Sequence, residues 1–283
     1  MKKNCLHLCQ SLLLFIFLLS FSPLFAQQQI GVQFYTFRDQ FKKDVPGTLK
    51  MIAQMGIKEV EGGGTYGLPE TEFKNLLQTN GLNIISVGAD FDELAKDPQI
   101  AINEAKKYGA KYVVCFWIPH KDEFTIDDAK KAVEVFNNAG KILAANGLQL
   151  CYHAHGFEFR PYGNATLFEY LMQELNPKYV NFEMDVFWIK HPGQDPVAML
   201  EKYPNRFLLM HLKDRKTGTP GNLTGEADVE TNVVLGTGDV GIAAIMKAAK
   251  KAGVQHYFIE DESSRSVEQV PLSLAYLKTL HTK

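Results

Sequence analysis

The sequence predicts a single (β/α)8 barrel, and three observations carry this prediction. Short apolar runs alternate with amphipathic helical patterns eight times along the chain. The chain has 283 residues, a length typical of one α/β barrel. The fifth to eighth apolar runs end in His, Asp or Glu side chains. Barrels of this kind place catalytic groups at the carboxyl ends of their strands, which explains ligand-type residues at these positions.

The strands are predicted from runs rich in Val, Ile, Phe and Tyr. A doubly wound sheet is the competing arrangement, but it needs a Gly-rich phosphate turn after its first strand. Here Thr36-Phe37-Arg38-Asp39 follows the first strand, and Glu61-Gly62-Gly63-Gly64 after the second lacks the dinucleotide fingerprint. The predicted strands cover 30–35, 57–61, 82–88, 111–117, 148–153, 179–185, 207–213 and 255–260.

Amphipathic helices are predicted between the strands, with a last helix after the eighth strand. Glycines one or two residues before a strand are expected to end several of these helices in the left-handed conformation. These are Gly56, Gly81, Gly109, Gly147 and Gly253. The predicted helices cover 45–54, 70–79, 98–108, 126–145, 167–175, 197–201, 240–251 and 267–280.

The first 26 residues match the three parts of an export signal. Lys2 and Lys3 precede an apolar stretch at 12–21, and Ser22-Pro23-Leu24-Phe25-Ala26 supplies a small-residue cleavage site. The apolar stretch is short for a membrane span, and no second one follows. We therefore expect a signal peptide at 1–26, one barrel domain at 27–283, and a periplasmic location.

Composition argues against a polyanion-binding protein. The formal net charge is −2 at neutral pH, and no stripe or block of Lys and Arg is present. Beyond residue 26 the cysteines are Cys115 and Cys151, both in apolar strand-like runs. We expect two buried free thiols, with a disulfide between neighbouring strands as the alternative in an oxidising compartment.

The longest stretch without periodicity is 215–239, which follows the seventh strand and is rich in Gly, Thr and Asn. Ordered loops of this length in a compact domain are usually functional. We expect a substrate lid, with a surface insertion as the alternative.

The last three strands offer a mixed set of oxygen and nitrogen ligands. Asp185, His211 and Glu260 end the sixth, seventh and eighth apolar runs. Parallel barrel strands end at one face, so these side chains are expected to converge. Such a set suits one divalent cation, Mn²⁺, Co²⁺, Zn²⁺, Fe²⁺ or Mg²⁺, without selecting among them.

These motifs resemble the sugar phosphate isomerase/epimerase superfamily, the xylose isomerase-like TIM barrels, over essentially the whole chain after the N-terminal segment. The resemblance implies a metal held by Glu, Asp, His and Glu from the last four strands, and Asp185, His211 and Glu260 match the last three. Together with the export signal, the Tyr-His-x-His strand predicts an exported subgroup. The residues that carry the resemblance are Tyr152-His153-x-His155-x-Phe157-Glu158-Phe159, Met184-Asp185-Val186-Phe187-Trp188, His211-Leu212-Lys213-Asp214 and Ile259-Glu260.

The fifth strand departs from the family pattern. His153 stands where many members carry the first ligand Glu, and Glu158 follows in the loop. Either side chain could complete the metal site, and the sequence leaves both open. The resemblance implies that two ligand Glu residues also transfer the proton in the epimerases, and this role does not pass directly to His153.

Side chains around the ligand set are predicted to transfer protons and to contact the substrate. His155 lies two residues beyond His153 and so faces the same side of the strand; an ordinary His pKa of about 6.5 suits an acid or a base. Lys213 is expected to neutralise the charge of the enediolate or to form an internal ion pair with Glu183 or Asp214. The predicted catalytic residues are His155, Glu158, Glu260 and Lys213, and the predicted substrate-binding residues are Glu61, Trp117, Glu183, Trp188 and His191.

The resemblance implies a metal-dependent isomerase or epimerase that removes the proton beside the carbonyl of a free sugar or keto-sugar through an enediolate. A lyase that cleaves 3-keto-glycosides by β-elimination is the alternative, because its first proton transfer is the same. A non-catalytic sugar-binding barrel would not need the whole ligand set, and an endonuclease IV-like barrel needs more His ligands and a basic face. The expected partner is a small carbohydrate, with no nucleic acid and no membrane span after processing; a homo-oligomer is left open.

Overall fold

Eight parallel strands close into one barrel in a computed structural model that describes residues 29–280. All eight predicted strands are present, with ends that differ from the predicted ones by at most two residues. Each strand pairs with its neighbours along the chain, and the first pairs with the last. The strands are β1 Ile30–Gln33, β2 Glu59–Glu61, β3 Asn83–Gly88, β4 Tyr112–Cys115, β5 Gln149–His153, β6 Val180–Asp185, β7 Phe207–Leu212 and β8 His256–Ile259.

Helices follow the strands and form the outer layer of the barrel. The eight predicted helices are present, and the five predicted helix-ending glycines all have positive φ. Three short helices, α1, α4 and α8, were not predicted, because four to six residues give too little periodicity. The helices are α1 Arg38–Phe41, α2 Val45–Gln54, α3 Glu70–Asn80, α4 Phe91–Lys96, α5 Gln99–Tyr108, α6 Ile126–Ala145, α7 Leu167–Glu174, α8 Val186–Lys190, α9 Pro196–Lys202, α10 Ile242–Ala252 and α11 Ser266–Leu280.

The interior of the barrel is filled just below the face where the ligand-type residues lie. Cys151, Leu209 and Phe258 are buried in one interior cluster. Each precedes a ligand-type residue by two positions, and strand side chains alternate between faces. His153, His211 and Glu260 therefore stand directly above this apolar layer, on the inside of the barrel.

The register of the last four strands brings their polar ends level. His153 of β5 pairs with Glu183 of β6. Asp185 of β6 pairs with His211 of β7, and Phe258 of β8 pairs with His211 on the other side. The carboxyl ends of β5 to β8 thus form one continuous polar rim.

The segment 215–239 is anchored to the barrel. The buried Asp214 carboxylate accepts hydrogen bonds from four backbone N–H groups, those of Arg215, Gly236, Gly238 and Val240. Arg215 also donates twice to Asp239, so the two ends of the segment are joined. In the middle, a Cβ built at Gly225 would lie 2.8 Å from the Phe157 ring, so the segment crosses close over the β5 loop.

Three further expectations concern the chain as a whole. Cys115 and Cys151 are buried free thiols, as expected. Within residues 29–280, no helix combines the length and the apolar character that a membrane span requires. The predicted signal peptide, 1–26, lies outside the described residues, so its cleavage and the periplasmic location stay predictions.

Candidate metal centre

Four side chains from β5 to β8 meet at the carboxyl face of the barrel. Ligand atoms of His153, Asp185 and His211 lie within 4.8 Å of one another, and all three side chains are buried. Asp185 Oδ2 is 3.9 Å from His153 Nε2 and 3.9 Å from His211 Nδ1. Glu260 Oε2 is 3.3 Å from the same His211 Nδ1. Two imidazoles and two carboxylates therefore point one donor atom each toward a common region.

Asp185 has a divided role that leaves one oxygen free. Its Oδ1 accepts the backbone N–H groups of Phe187 at 2.7 Å and Trp188 at 3.1 Å, and so caps α8. Its Oδ2 is buried and has no hydrogen-bond partner within the described residues. A buried, unpartnered carboxylate oxygen is costly unless a cation or proton occupies its free side.

Each imidazole is oriented from below by a buried glutamate. His153 Nδ1 lies 2.9 Å from Glu183 Oε2, which leaves Nε2 facing Asp185. His211 Nε2 lies 2.5 Å from Glu61 Oε1, which leaves Nδ1 facing Asp185 and Glu260. Carboxylates commonly hold metal-binding histidines in this way and fix the ring nitrogen that faces the metal.

The Glu61 carboxylate is itself held by two polar side chains. Gln33 Nε2 donates to Glu61 Oε1 at 2.9 Å, and Ser86 Oγ donates to Glu61 Oε2. Since His211 also contacts Oε1, both oxygens of Glu61 are in use. Glu61 therefore supports the site from the opposite side of the barrel and has no free oxygen for a substrate.

The donor set fits a divalent transition metal. Neutral imidazole nitrogens and carboxylate oxygens suit Zn²⁺, Mn²⁺, Co²⁺ and Fe²⁺, and the unpartnered Asp185 Oδ2 supplies a place for the charge. His153, Asp185, His211 and Glu260 would hold such an ion. Of the two candidates that the sequence left open, His153 faces this region and Glu158 does not, and the role of His153 as a ligand stays a prediction.

Burial and neighbouring charges set the protonation of the cluster. Burial and the adjacent Glu61 raise the pKa of Glu183 well above its usual value, whereas burial raises that of Asp185 to about 6 against the opposing Lys213 charge. Burial disfavours a charged His211, but Glu183, Glu260 and Glu61 outweigh it and raise the pKa of His211 well above its usual value. These carboxylates thus favour the protonated form of His211, and a cation bound at Nδ1 would release that proton.

Glu158 is not among the side chains whose ligand atoms converge, and its predicted roles as ligand and catalyst stay predictions. Its carboxylate accepts the Tyr152 hydroxyl, the His155 N–H at 3.1 Å and the Gly156 N–H at 2.8 Å. Burial raises the pKa of Glu158 to about 7, although these donors act in the other direction. Glu158 thus shapes the loop after β5, and its side chain turns back on its own strand.

Lys213 forms the internal ion pair that was one of its two predicted roles, with different partners from those expected. Its buried ammonium lies 3.2 Å from Glu260 Oε2 and contacts Glu262. Burial opposes the charge, but Glu260, Glu262 and Asp185 together raise the pKa of Lys213 above its usual value. The ammonium therefore stays charged and fixes Glu260 at the edge of the cluster.

A cavity of about 440 Å³ opens onto the cluster. His155 lines it next to His153, and its Nδ1 is buried with no hydrogen-bond partner within residues 29–280. Burial and then the Lys213 charge lower the pKa of His155 to about 4, so its imidazole is neutral. The other lining residues are Gln33, Tyr35, Arg38, Gly62, Gly63, Tyr66, Gly88, Phe116, Glu260 and Glu262.

Most of the predicted substrate-binding residues lie elsewhere. Glu61 and Glu183 are fully buried beneath the imidazoles, because Glu61 forms a hydrogen bond with His211 and Glu183 forms one with His153. Trp188 is buried against His155 and under Lys213. His191 is buried against Phe187 and lines a different cavity, under the segment 215–239.

Trp117 is 40% exposed and packs edge-on against His155, near the mouth of the cavity but not among its lining residues.

Sequence reasoning missed several residues of the site. Glu262 ends the Ile259-Glu260-Asp261-Glu262 run and could have been found by its position two residues beyond Glu260. Gln33 and Ser86 are ordinary polar residues of strands, and no spacing signal marks them. Arg38 was noted only as part of the turn after the first strand.

The fold agrees with a family comparison. The chain belongs to the xylose isomerase-like TIM barrel family, whose model matches residues 49–280. The predicted family is therefore confirmed, whereas the exported Tyr-His-x-His subgroup stays a prediction.

Two solved structures and one curated protein are similar to the chain. A sugar phosphate isomerase/epimerase from Parabacteroides distasonis is 27% identical, with a TM-score of 0.74 over 91% of this chain and 96% of the other. The inosose dehydratase of Geobacillus thermodenitrificans is 24% identical over 238 residues, which are 74% of this chain and 78% of the dehydratase. The IolI protein, solved with a bound zinc atom, shares the fold at 14% identity and a TM-score of 0.71 over 90% of this chain and 97% of the other.

Proposed function

We propose that this protein is a metal-dependent lyase of the dehydratase type, acting on a keto-sugar or a cyclic keto-polyol. The reaction removes a proton from the carbon beside the carbonyl and expels a substituent from the next carbon. For a hydroxyl leaving group the products are an unsaturated ketone and water. We also propose that residues 1–26 are a signal peptide and that the enzyme is periplasmic, as the N-terminal pattern predicts.

The observation that carries the proposal is the character of the β5 strand end. An imidazole, His153, faces the ligand region there, and the nearby Glu158 carboxylate is bound to Tyr152 and two backbone N–H groups. Two-base epimerisation needs a second proton-transfer group on the opposite face of the substrate. Elimination needs one base for the carbon-bound proton and one acid for the leaving group.

The chain's own residues supply these roles. His155 lines the cavity beside His153 and would accept the carbon-bound proton on its imidazole. Glu262 lines the same cavity but its carboxylate is ion-paired with the Lys213 ammonium, which stays charged. The proton that His155 has taken from carbon would therefore pass from its imidazole to the leaving group, which restores neutral His155. A divalent cation bound by His153, Asp185, His211 and Glu260 would stabilise the negative charge that develops on the carbonyl oxygen.

The inosose dehydratase of Geobacillus thermodenitrificans also supports a dehydratase, since the chain aligns with most of its length. An isomerase or epimerase of a free sugar or keto-sugar is the second candidate. It is favoured by the similarity to the Parabacteroides sugar phosphate isomerase/epimerase. A lyase that cleaves 3-keto-glycosides uses the same elimination, and its leaving group is the aglycone alkoxide instead of a hydroxyl.

The two candidates separate in one experiment. The protein, loaded with Mn²⁺, is incubated in D₂O with cyclic keto-polyols, 3-keto-glycosides and ketoses, and the products are followed by proton NMR. The proposal expects loss of water or of the aglycone and a new vinylic signal. A changed configuration or a moved carbonyl, with neither water nor aglycone lost, would instead establish the isomerase or epimerase. The Asp185→Asn variant serves as the metal-site control.

A further inference from the structure

One wall of the cavity carries a cation that forms no salt bridge within the described residues, although its charge acts on the neighbouring Asp39. Arg38 lines the cavity. Within residues 29–280, no carboxylate forms an ion pair with it. It is also the only Lys or Arg side chain among the described lining residues.

The Arg38 guanidinium is held in place by neutral groups. Its Nη2 donates to the Glu262 carbonyl at 2.7 Å, and its Nη1 donates to the Tyr35 carbonyl at 3.3 Å. It also lies 4.7 Å from the centre of the Tyr35 ring. Guanidinium has five N–H donors, so these two bonds leave others for a ligand.

Arg38 lies at the right range to contact a substrate that is held at the ligand cluster. Its contact with the Glu262 carbonyl places it only two residues along the chain from Glu260. Arg38, His153 and Glu260 also line one cavity, so a substrate held at the ligand cluster would present a remote substituent to the guanidinium.

Tyr66 bounds the same wall in a strained conformation. Its φ is 53°, in the left-handed region that non-glycine residues seldom adopt. Its ring stacks on Phe41 at 4.1 Å and is 39% exposed along the cavity. Strain of this kind persists where the surrounding structure enforces it, often at ligand sites. The wall thus combines two aromatic faces with one fixed guanidinium.

We infer that this wall recognises a carboxylate on the substrate, so that the enzyme acts on an acidic sugar derivative such as a uronic acid. The inference rests on the proposed function, because it places a carbohydrate in the cavity. A planar carboxylate matches the planar guanidinium and pairs with it by two hydrogen bonds.

A phosphate would require more donors than this wall offers. Phosphate sites commonly use several backbone N–H groups of a glycine-rich loop. The loop after β2 contains three consecutive glycines, but the Gly62 N–H donates to the Ser86 carbonyl and the Gly64 N–H donates to Glu104. The single guanidinium therefore fits a carboxylate better than a phosphate dianion.

The test is a binding measurement that needs no turnover. Mn²⁺-loaded protein is titrated calorimetrically with the methyl glycosides of glucuronic and galacturonic acid, with their neutral hexose counterparts, and with glucose 6-phosphate. We expect at least one acidic glycoside to bind roughly 10- to 100-fold more tightly than its neutral partner, the range expected for charge-assisted hydrogen bonds. Arg38→Gln should abolish this difference, and Arg38→Lys should retain part of it.

Lys43→Gln is the matched control, because it removes the same charge from an exposed position just after α1. It should keep the preference for the acidic glycoside. The inference is wrong if no acidic glycoside is preferred, if glucose 6-phosphate is preferred instead, or if Arg38→Gln weakens acidic and neutral ligands equally, as a purely structural clamp would. The proposed reaction is judged separately, from product formation by the wild-type protein.

Discussion

The two halves of the barrel mouth differ in what their strands present. The ends of β5 to β8 carry His153, Asp185, His211 and Glu260, whose donor atoms converge. The ends of β1 to β4 carry Gln33, Glu61, Gly88 and, just beyond β4, Phe116. One half gathers potential metal ligands, and the other offers aromatic and neutral surface together with the Arg38 guanidinium.

This difference suggests that the two halves divide the work. The cavity runs from His153, His155 and Glu260 on one half to Tyr35, Arg38 and Tyr66 on the other. The reacting carbons would lie on the first half and the rest of the substrate on the second. Glu61 is the exception, because it belongs to the second half by sequence and supports His211 of the first half by contact.

The largest effect is expected for Asp185→Asn, which alters the metal half at its centre. The Asn side chain can keep the Oδ1 contacts that cap α8, but its amide nitrogen is no ligand in place of Oδ2. We expect loss of metal content and of activity with a folded barrel. Metal analysis by atomic emission and circular dichroism check this expectation.

Asp195→Asn is the matched control, since Asp195 caps α9 through the same pair of backbone contacts far from the ligand cluster. Its metal content and activity should match those of the wild type. Full metal occupancy in Asp185→Asn would place the cation elsewhere.

A smaller effect is expected for His155→Gln, which alters the boundary between the halves. The ligand set is left intact, so metal content should not change. The rate of exchange of the substrate's carbon-bound proton in D₂O should fall by roughly 10²- to 10⁴-fold, the usual contribution of a positioned base. His256→Gln is the control, because His256 lies at the opposite end of β8, paired with Glu59. Exchange at the wild-type rate in His155→Gln would exclude His155 as the base.

The sequence predicted the fold almost completely, and physical reasons explain this. Strand and helix periods are local properties of the chain, and eight alternations leave few arrangements other than a barrel. The parallel strands then bring Asp185, His211 and Glu260 to one face without any knowledge of side-chain contacts.

The sequence could not predict which polar residues face the cavity and which lie beneath it. Glu61 and Glu183 lie at or near strand ends, as the candidate ligands do, but each points into the barrel and forms a hydrogen bond with an imidazole. The Glu158 side chain points back toward β5, where its carboxylate accepts the Tyr152 hydroxyl. These outcomes depend on contacts between residues far apart in sequence or on loop geometry, and neither leaves a periodic signal.

Glu61→Gln tests the contact between the two halves, which is the hydrogen bond between Glu61 and His211. A Gln in this position cannot hold His211 as a negatively charged acceptor does. We expect metal affinity to fall roughly 10- to 100-fold, as for other residues that orient metal ligands. Glu59→Gln is the control, because Glu59 makes the same kind of contact with His256 at the other end of the barrel. Competition with a fluorescent chelator measures both affinities, and equal affinities would mean that Glu61 does not support the site.

The smallest effect on activity is expected for Glu158→Gln, although Glu158 belongs by sequence to the metal half. Its carboxylate contacts Tyr152 and backbone N–H groups, so metal content and turnover should stay within a few fold of the wild type. A tenfold loss of metal would instead show that Glu158 is a metal ligand.

The variant should, however, change how stability depends on pH. The pKa of Glu158 is raised from 4.5 to about 7, mainly by burial, so between these values the folded state binds a proton that the unfolded state has lost. This proton's contribution to stability is fully present below pH 4.5 and is lost as pH rises through about 7. Gln cannot titrate, so the stability of the wild type relative to Glu158→Gln should fall by about 3 kcal/mol between pH 4.5 and 8. Urea unfolding of both proteins across this range measures the difference, and a difference independent of pH would mean that folding does not raise the pKa of Glu158.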